Sequence, residues 1–119
     1  MKILDNLHAF IWRDTSANNC NTFFINGSQK ILIDPGHRHL IRHVEEGLSD
    51  LGLSLDAIDL VIITHAHLDH MEASEIFQKH TLIAMGHEEM EHYQKMPEGH
   101  PGSSNVDQYH ADFFCRKEA

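Results

Sequence analysis

The stretch IDLVIITHAHLDH, Ile58 to His70, constrains this chain more than any other. Leu60 to Ile63 is an unbroken apolar run, the pattern of a strand covered on both faces. His65, His67, Asp69 and His70 follow within six positions. Two-residue spacing points His65 and His67 to one side of extended backbone, but to different faces of a helix. Directly after a strand, both imidazoles can converge on one point. Glu72 to Lys79 reads as a helix, so rigid elements hold the loop on both sides. Connections of this kind carry ligand sites in α/β sheets.

The remaining elements alternate in the same way. An apolar stretch at Phe10 to Trp12 reads as a first strand. Phe23-Phe24-Ile25 and Ile31-Leu32-Ile33 flank the turn-forming Asn26-Gly27-Ser28, and Pro35-Gly36 ends the second run, so a hairpin is expected. From Arg38 to Leu51, Leu40, Ile41, Val44, Leu48 and Leu51 recur at helical steps, with Gly52 as the stop. Thr81 to Met85 reads as another buried strand, and HEEMEHYQK as a short helix. From about Met96 to Ala119 the composition changes: two of the three prolines, two glycines and paired serines leave only Phe113-Phe114 as an apolar pair. That segment reads as an irregular tail. Residues 1–119 therefore form a single α/β layered domain without internal repeats.

Twelve histidines in 119 residues make some clustering unsurprising, so a histidine-rich loop with ordinary hydrogen bonds is the alternative to a metal site. The spacing after the strand favours the metal. Eighteen acidic against nine basic side chains give a net charge of −9, which repels phosphate backbones and argues against a nucleic-acid partner. The densest basic run, His37-Arg38-His39 with Arg42 and His43, reads as a helix face rather than an anion site. Cys20 and Cys115 are too few for a disulfide framework. MKILDNLHAFIW is broken by Asp5, Asn6 and His8, so neither a signal sequence nor a membrane span is expected, and a cytoplasmic location is the default.

Neutral imidazoles and a carboxylate suit Zn²⁺, held at roughly 2.0–2.2 Å, with iron or manganese as alternatives. Four such groups from so short a segment crowd a single ion. Two ions about 3.5–4 Å apart relieve the crowding and form a hydrolytic pair.

THAHLDH resembles the His-x-His-x-Asp-His signature of the metallo-beta-lactamase superfamily, which includes glyoxalase II-like metal-dependent hydrolases. NCNTFFINGSQKILIDPG is similar to the first hairpin of that family, which commonly ends in Ile-Asp-x-Gly. The helix from Arg38 and the strand from Leu60 follow in the family's order, so the resemblance covers roughly residues 10 to 95. It implies that His65 and His67 ligate a first metal and that Asp69 and His70 ligate a second. Asp69 also lies near the bridging water and takes a catalytic role. Asp34 would buttress the histidine loop; from the residues alone it is equally a turn carboxylate before Pro35-Gly36.

The fold implied is the N-terminal half of an αββα sandwich: a mixed sheet with helices on one face. In the family a second half supplies a third histidine, a bridging aspartate and a last histidine. GHPGSS, Gly99 to Ser104, is similar to the family's Gly-His-Thr-Pro-Gly loop and offers His100 as a further ligand. The activity implied is hydrolysis of a small-molecule ester, thioester, lactam or phosphoester by metal-bound hydroxide. A non-catalytic metal-binding or assembly module, keeping only the first-half ligands, is the alternative. Half a sandwich leaves an apolar sheet face open, so self-association or a covering partner is expected.

Overall fold

The structure, a computed structural model, describes residues 1–77, 81–94 and 113–115. Among the described residues, seven strands form one sheet in sequence order. The first four, β1 (Lys2–Leu4), β2 (Leu7–Phe10), β3 (Thr22–Asn26) and β4 (Lys30–Ile33), run as an antiparallel meander. The next three, β5 (Leu60–Ile63), β6 (Leu82–Gly86) and β7 (Phe113–Cys115), extend it in parallel with β4. Helices α1 (Arg42–Ser49), α2 (Leu68–Met71) and α3 (His87–Gln94) lie in the connections between parallel strands. Short 3₁₀ segments add Arg38–Leu40, Leu55–Ala57 and Glu72–Phe77. Because the parallel strands advance in one direction, right-handed crossovers place these helices on a single face. The fold is the α/β arrangement expected. Among the described residues no helix is long and apolar enough to cross a membrane.

Several boundaries differ from the sequence reading. The first apolar strand stops at Phe10, because Trp12 is drawn out of the ladder. Its amide donates to Asn21 Oδ1 at 2.9 Å and its indole N–H to the Ala17 carbonyl at 2.9 Å. The expected helix from Arg38 to Leu51 divides at Ile41. That residue's amide closes the 3₁₀ turn on the Arg38 carbonyl, and its own carbonyl accepts from Val44 and Glu45 to begin α1. Gly52, at φ +74°, ends the helix as its sequence position indicates. Glu72 opens a 3₁₀ segment rather than an α-helix, and Lys79 lies outside the described residues. Phe113–Cys115, within the segment read as irregular, is a strand paired with Ala84–Gly86.

Register explains which side chains are buried. Phe24, Leu32, Val61 and Ile83 occupy one row across β3 to β6, and each is fully buried. Ile63 and Met85 form the next row on that face, at 2% exposure each. Val44 and Leu48 of α1, together with Met71 and Phe77, join them in one core. Each large side chain so buried contributes about 1.5–3 kcal/mol. Gly47 permits the close approach of α1: a Cβ there would lie 2.6 Å from the Phe10 ring.

The opposite face is also apolar. Leu7, Ile25, Ile31, Leu60 and Leu82 form one row, and Phe23, Ile33, Ile62 and Ala84 the next. All nine retain solvent exposure, reaching 49% at Leu82. The run at Leu60–Ile63 therefore has full cover on one side only.

Candidate metal centre

The site lies at the C-terminal ends of β4 and β5. The ladder between them continues one step past β4, with the Asp34 amide donating to the Ile62 carbonyl at 3.0 Å. Asp34 then turns at φ +55°, a left-handed conformation that aspartate tolerates better than most residues. Its carbonyl accepts from Thr22 Oγ1 at 2.6 Å and from Cys20 Sγ at 3.3 Å. The carboxylate, buried at 6% residue exposure, meets the Thr64–His70 loop.

Proton counting at that carboxylate sets the histidine tautomers. Oδ1 accepts the Thr64 amide at 2.9 Å, and Oδ2 accepts the Thr64 hydroxyl at 2.5 Å. A hydroxyl has one proton to give. With that proton directed at Asp34, Thr64 Oγ1 is the acceptor in its 2.9 Å contact with His65 Nδ1. His70 Nδ1 likewise donates to Asp34 Oδ2 at 3.0 Å. The network therefore assigns the proton to Nδ1 in both rings and leaves both Nε2 lone pairs available to a ligand. Fixing tautomer and ring direction through a buried carboxylate is how metal-ligating histidines are usually oriented.

Of the four expected ligands, the structure brings His65 and His70 into one compact group with Asp34, and leaves His67 and Asp69 beside it. The His65 centroid lies 4.0 Å from that of His70 and 4.6 Å from that of His67, the latter pair nearly perpendicular. Asp69 Oδ2 stands 3.9 Å from His70 Nε2 and accepts from Asn18 Nδ2 at 3.3 Å. His67 is extended, at φ −103° and ψ 137°, and precedes α2, the turn that carries Asp69 and His70. Its carbonyl accepts the His70 and Met71 amides at 2.9 and 3.0 Å. Candidate ligand atoms of Asp34, His65 and His70 lie within 4.8 Å of one another. Asp34 already accepts from three donors, which suits it to orient ligands. His100 lies outside the described residues.

Three contributors were not read from the sequence. Thr64 relays Asp34 to His65, Asn18 holds Asp69, and Glu89 of α3 accepts the Ala66 amide at 3.0 Å. Each acts across a distance in the chain or on a backbone group, so no local motif marks it. Cys20 is no competing nucleophile. Burial first, then the Asp34 charge, pushes its thiol up to about 12, far above working pH. Two ring nitrogens with free lone pairs beside a carboxylate fit a borderline divalent metal.

A mixed sheet with helices on one face and a His-x-His-x-Asp-His loop at its parallel strand ends defines a metal-site architecture. The chain belongs to the metallo-beta-lactamase superfamily, whose family model matches residues 15–113. Among curated relatives, the anti-Pycsar protein Apyc1 of Bacillus phage vB_BveM-Goe7 is 38% identical over 69 residues, covering 58% of this chain and 24% of the phage protein. A Methanocaldococcus jannaschii protein named as a metallo-hydrolase is 41% identical over 54 residues, covering 45% of this chain and 27% of its own. The chain thus spans about a quarter of the length of these relatives. The FEZ-1 metallo-beta-lactamase of Legionella gormanii superposes with a TM-score of 0.65 at 17% identity, over 83% of this chain and 41% of the enzyme. A mutant metallo-beta-lactamase of Cronobacter sakazakii gives 0.61 at 18% identity, over 86% and 42%. At such identities the likeness is one of fold.

Proposed function

We propose that this chain carries the first-half ligands of a metal-dependent hydrolase. The observation that supports it most is the shared Asp34 oxygen, which sets both His65 and His70 to present Nε2. His65, His67, Asp69 and His70 would hold the metal, zinc in the first instance, as one ion or an adjacent pair. A metal so held supplies Lewis-acid chemistry: it activates water and polarises the oxygen of an ester, thioester, lactam or phosphoester. The chain's own residues do the positioning. Asp34 and Thr64 lock the rings, Asn18 steadies Asp69, and Glu89 anchors the loop backbone at Ala66. Asp69, partly exposed and 3.9 Å from His70 Nε2, would take a proton from the attacking water.

A second reading, a metal-binding or assembly module without turnover, is favoured by one fact. Apart from Asp34, every candidate ligand at this centre among the described residues comes from the single segment His65 to His70. For either reading, the open sheet face calls for cover by a second copy or a partner, as the two half-exposed apolar rows suggest. The test compares the chain with its H65A/H67A variant by elemental analysis and by hydrolysis of generic ester and thioester substrates. Zinc lost from the variant together with turnover supports the hydrolase, and zinc loss without measurable turnover in either protein supports the module. Equal zinc in both proteins refutes the ligand assignment.

A further inference from the structure

We infer a second divalent-metal site, separate from the His65–His70 centre, formed by His37, His39 and Glu72. Their ligand atoms lie within 4.8 Å of one another. The basic run at His37-Arg38-His39, which reads in sequence as a helix face, folds differently. His37 is extended at φ −72° and ψ 143°, and only from Arg38 does the 3₁₀ turn begin. The two rings come to 5.2 Å between centroids, on the same side as Glu72. His37 Nδ1 lies 3.3 Å from Glu72 Oε1. Two ligands held tetrahedrally at roughly 2.0–2.1 Å from zinc are themselves about 3.3 Å apart. Without an ion that contact is a hydrogen bond between ring and carboxylate, and its length is also that of one edge of a coordination tetrahedron.

His37 and Glu72 are held before any ion arrives. Asn19 Oδ1 accepts the His37 amide at 3.0 Å, and Glu72 Oε1 accepts the Arg38 amide at 3.1 Å. On either side of Glu72, the His70 carbonyl accepts from Gly36 at 3.1 Å and the Ala73 amide donates to the Gly36 carbonyl at 2.8 Å. Gly36 sits at φ +86°, and a Cβ there would come 2.5 Å from Asn19 Oδ1, so the turn that delivers His37 depends on glycine. The Arg38 guanidinium is directed elsewhere, meeting Glu75 Oε2 at 3.6 Å. A carboxylate among the rings disfavours an anion, while two imidazoles and a carboxylate suit Zn²⁺, Co²⁺ or Ni²⁺, with water completing the sphere. An ion there cross-links the loop after β4 to the segment that carries Asp69 and His70.

The inference does not rest on the function proposed above, and two measurements test it apart from that reading. Equilibrium dialysis against Ni²⁺ with elemental analysis should find one equivalent fewer in an H37A/H39A variant than in the unaltered chain. Equal stoichiometry overturns the site. In the H65A/H67A variant, added Co²⁺ should broaden the imidazole resonances of His37 and His39 in proton–nitrogen spectra. Sharp, unshifted signals from both rings also overturn it. Glu72→Gln in that background should weaken the Co²⁺ response by about tenfold or more, since a carboxamide is a poor ligand. An unchanged titration removes Glu72 from the site.

Discussion

Replacing Asp34 separates its two roles. Its carboxylate accepts from the Thr64 amide, the Thr64 hydroxyl and His70 Nδ1. Hydrogen bonds to a charged acceptor contribute about 1.5–3 kcal/mol each. Thr64 is exposed and the His70 side chain is 24% exposed, so water replaces part of what those two lose. Asp34→Ala should therefore cost about 2–4 kcal/mol in urea denaturation, dominated by the stranded Thr64 amide. Asp34→Gly should be about 1 kcal/mol less damaging, because glycine adopts φ +55° without the Cβ penalty. Asp34→Asn is the sharper test. Its amide oxygen still accepts from the Thr64 backbone, but its NH₂ faces Thr64 Oγ1 and His70 Nδ1, reversing the donors that set the tautomers. Stability should fall less than in the alanine variant, while zinc affinity drops about 10- to 100-fold, the usual effect of removing a ligand's orienting partner. Competition with a chromophoric chelator measures that affinity. An asparagine variant that binds zinc as tightly as the unaltered chain would refute the tautomer argument.

Cys20, with its thiol raised to about 12 by burial, should resist alkylation at pH 8 in the folded chain and react once urea unfolds it; rapid native labelling contradicts the packing described. Glu75 is held above the ordinary carboxylate range, first by burial and then by Glu72, with Arg38 opposing. Its raised folded-state pKa means that ionisation opposes folding, a penalty absent below its unfolded-state pKa and growing as pH rises through its folded-state pKa. Glu75→Gln should therefore raise the urea midpoint at pH 7 and leave it unchanged near pH 4; a variant destabilised at pH 7 would show that the Arg38 contact outweighs burial. At the open face, burial is worth about 25 cal/mol per Å², so the unaltered chain should associate at micromolar concentration and an I31K/L60K variant should sediment as a monomer. A compact monomer of the unaltered chain counts against the covering proposal.

The parts legible in sequence are those with local signals. Asn26-Gly27-Ser28 between two apolar runs marks the β3–β4 hairpin, whose pairing closes at Asn26 and Lys30. The apolar run before His65 marks β5, but the extended path expected from His65 to His67 is replaced by a tight turn in which the His67 amide donates to the His65 carbonyl at 2.9 Å. β2 was misplaced because His8, a polar residue by sequence, is buried at 8% exposure in that strand, whereas apolar Trp12 leaves the sheet. Asp34 is ambiguous in sequence because a turn before Pro35-Gly36 and a carboxylate reaching the histidine loop use the same residue; the structure shows both, the turn at φ +55° and the hydrogen bonds to Thr64 and His70. Asn18, Thr64 and Glu89 carried no periodicity at all. Their partners lie 51, 30 and 23 positions away, and such distances exist only after the chain has folded.

That assembly from remote segments has a thermodynamic corollary. Asn18, Asp34 and Glu89 meet the Thr64–His70 loop in space but not in the chain, so the unfolded polymer keeps His65 to His70 together yet lacks the contacts that orient them. A metal that recognises the oriented group draws the whole population toward the native state. At a free concentration one hundred times its dissociation constant it adds about 2.7 kcal/mol, a sizeable share of the roughly 5–15 kcal/mol typical of a domain. Metal supply would then set how much denaturant the chain withstands, since nearly every copy is already folded in water.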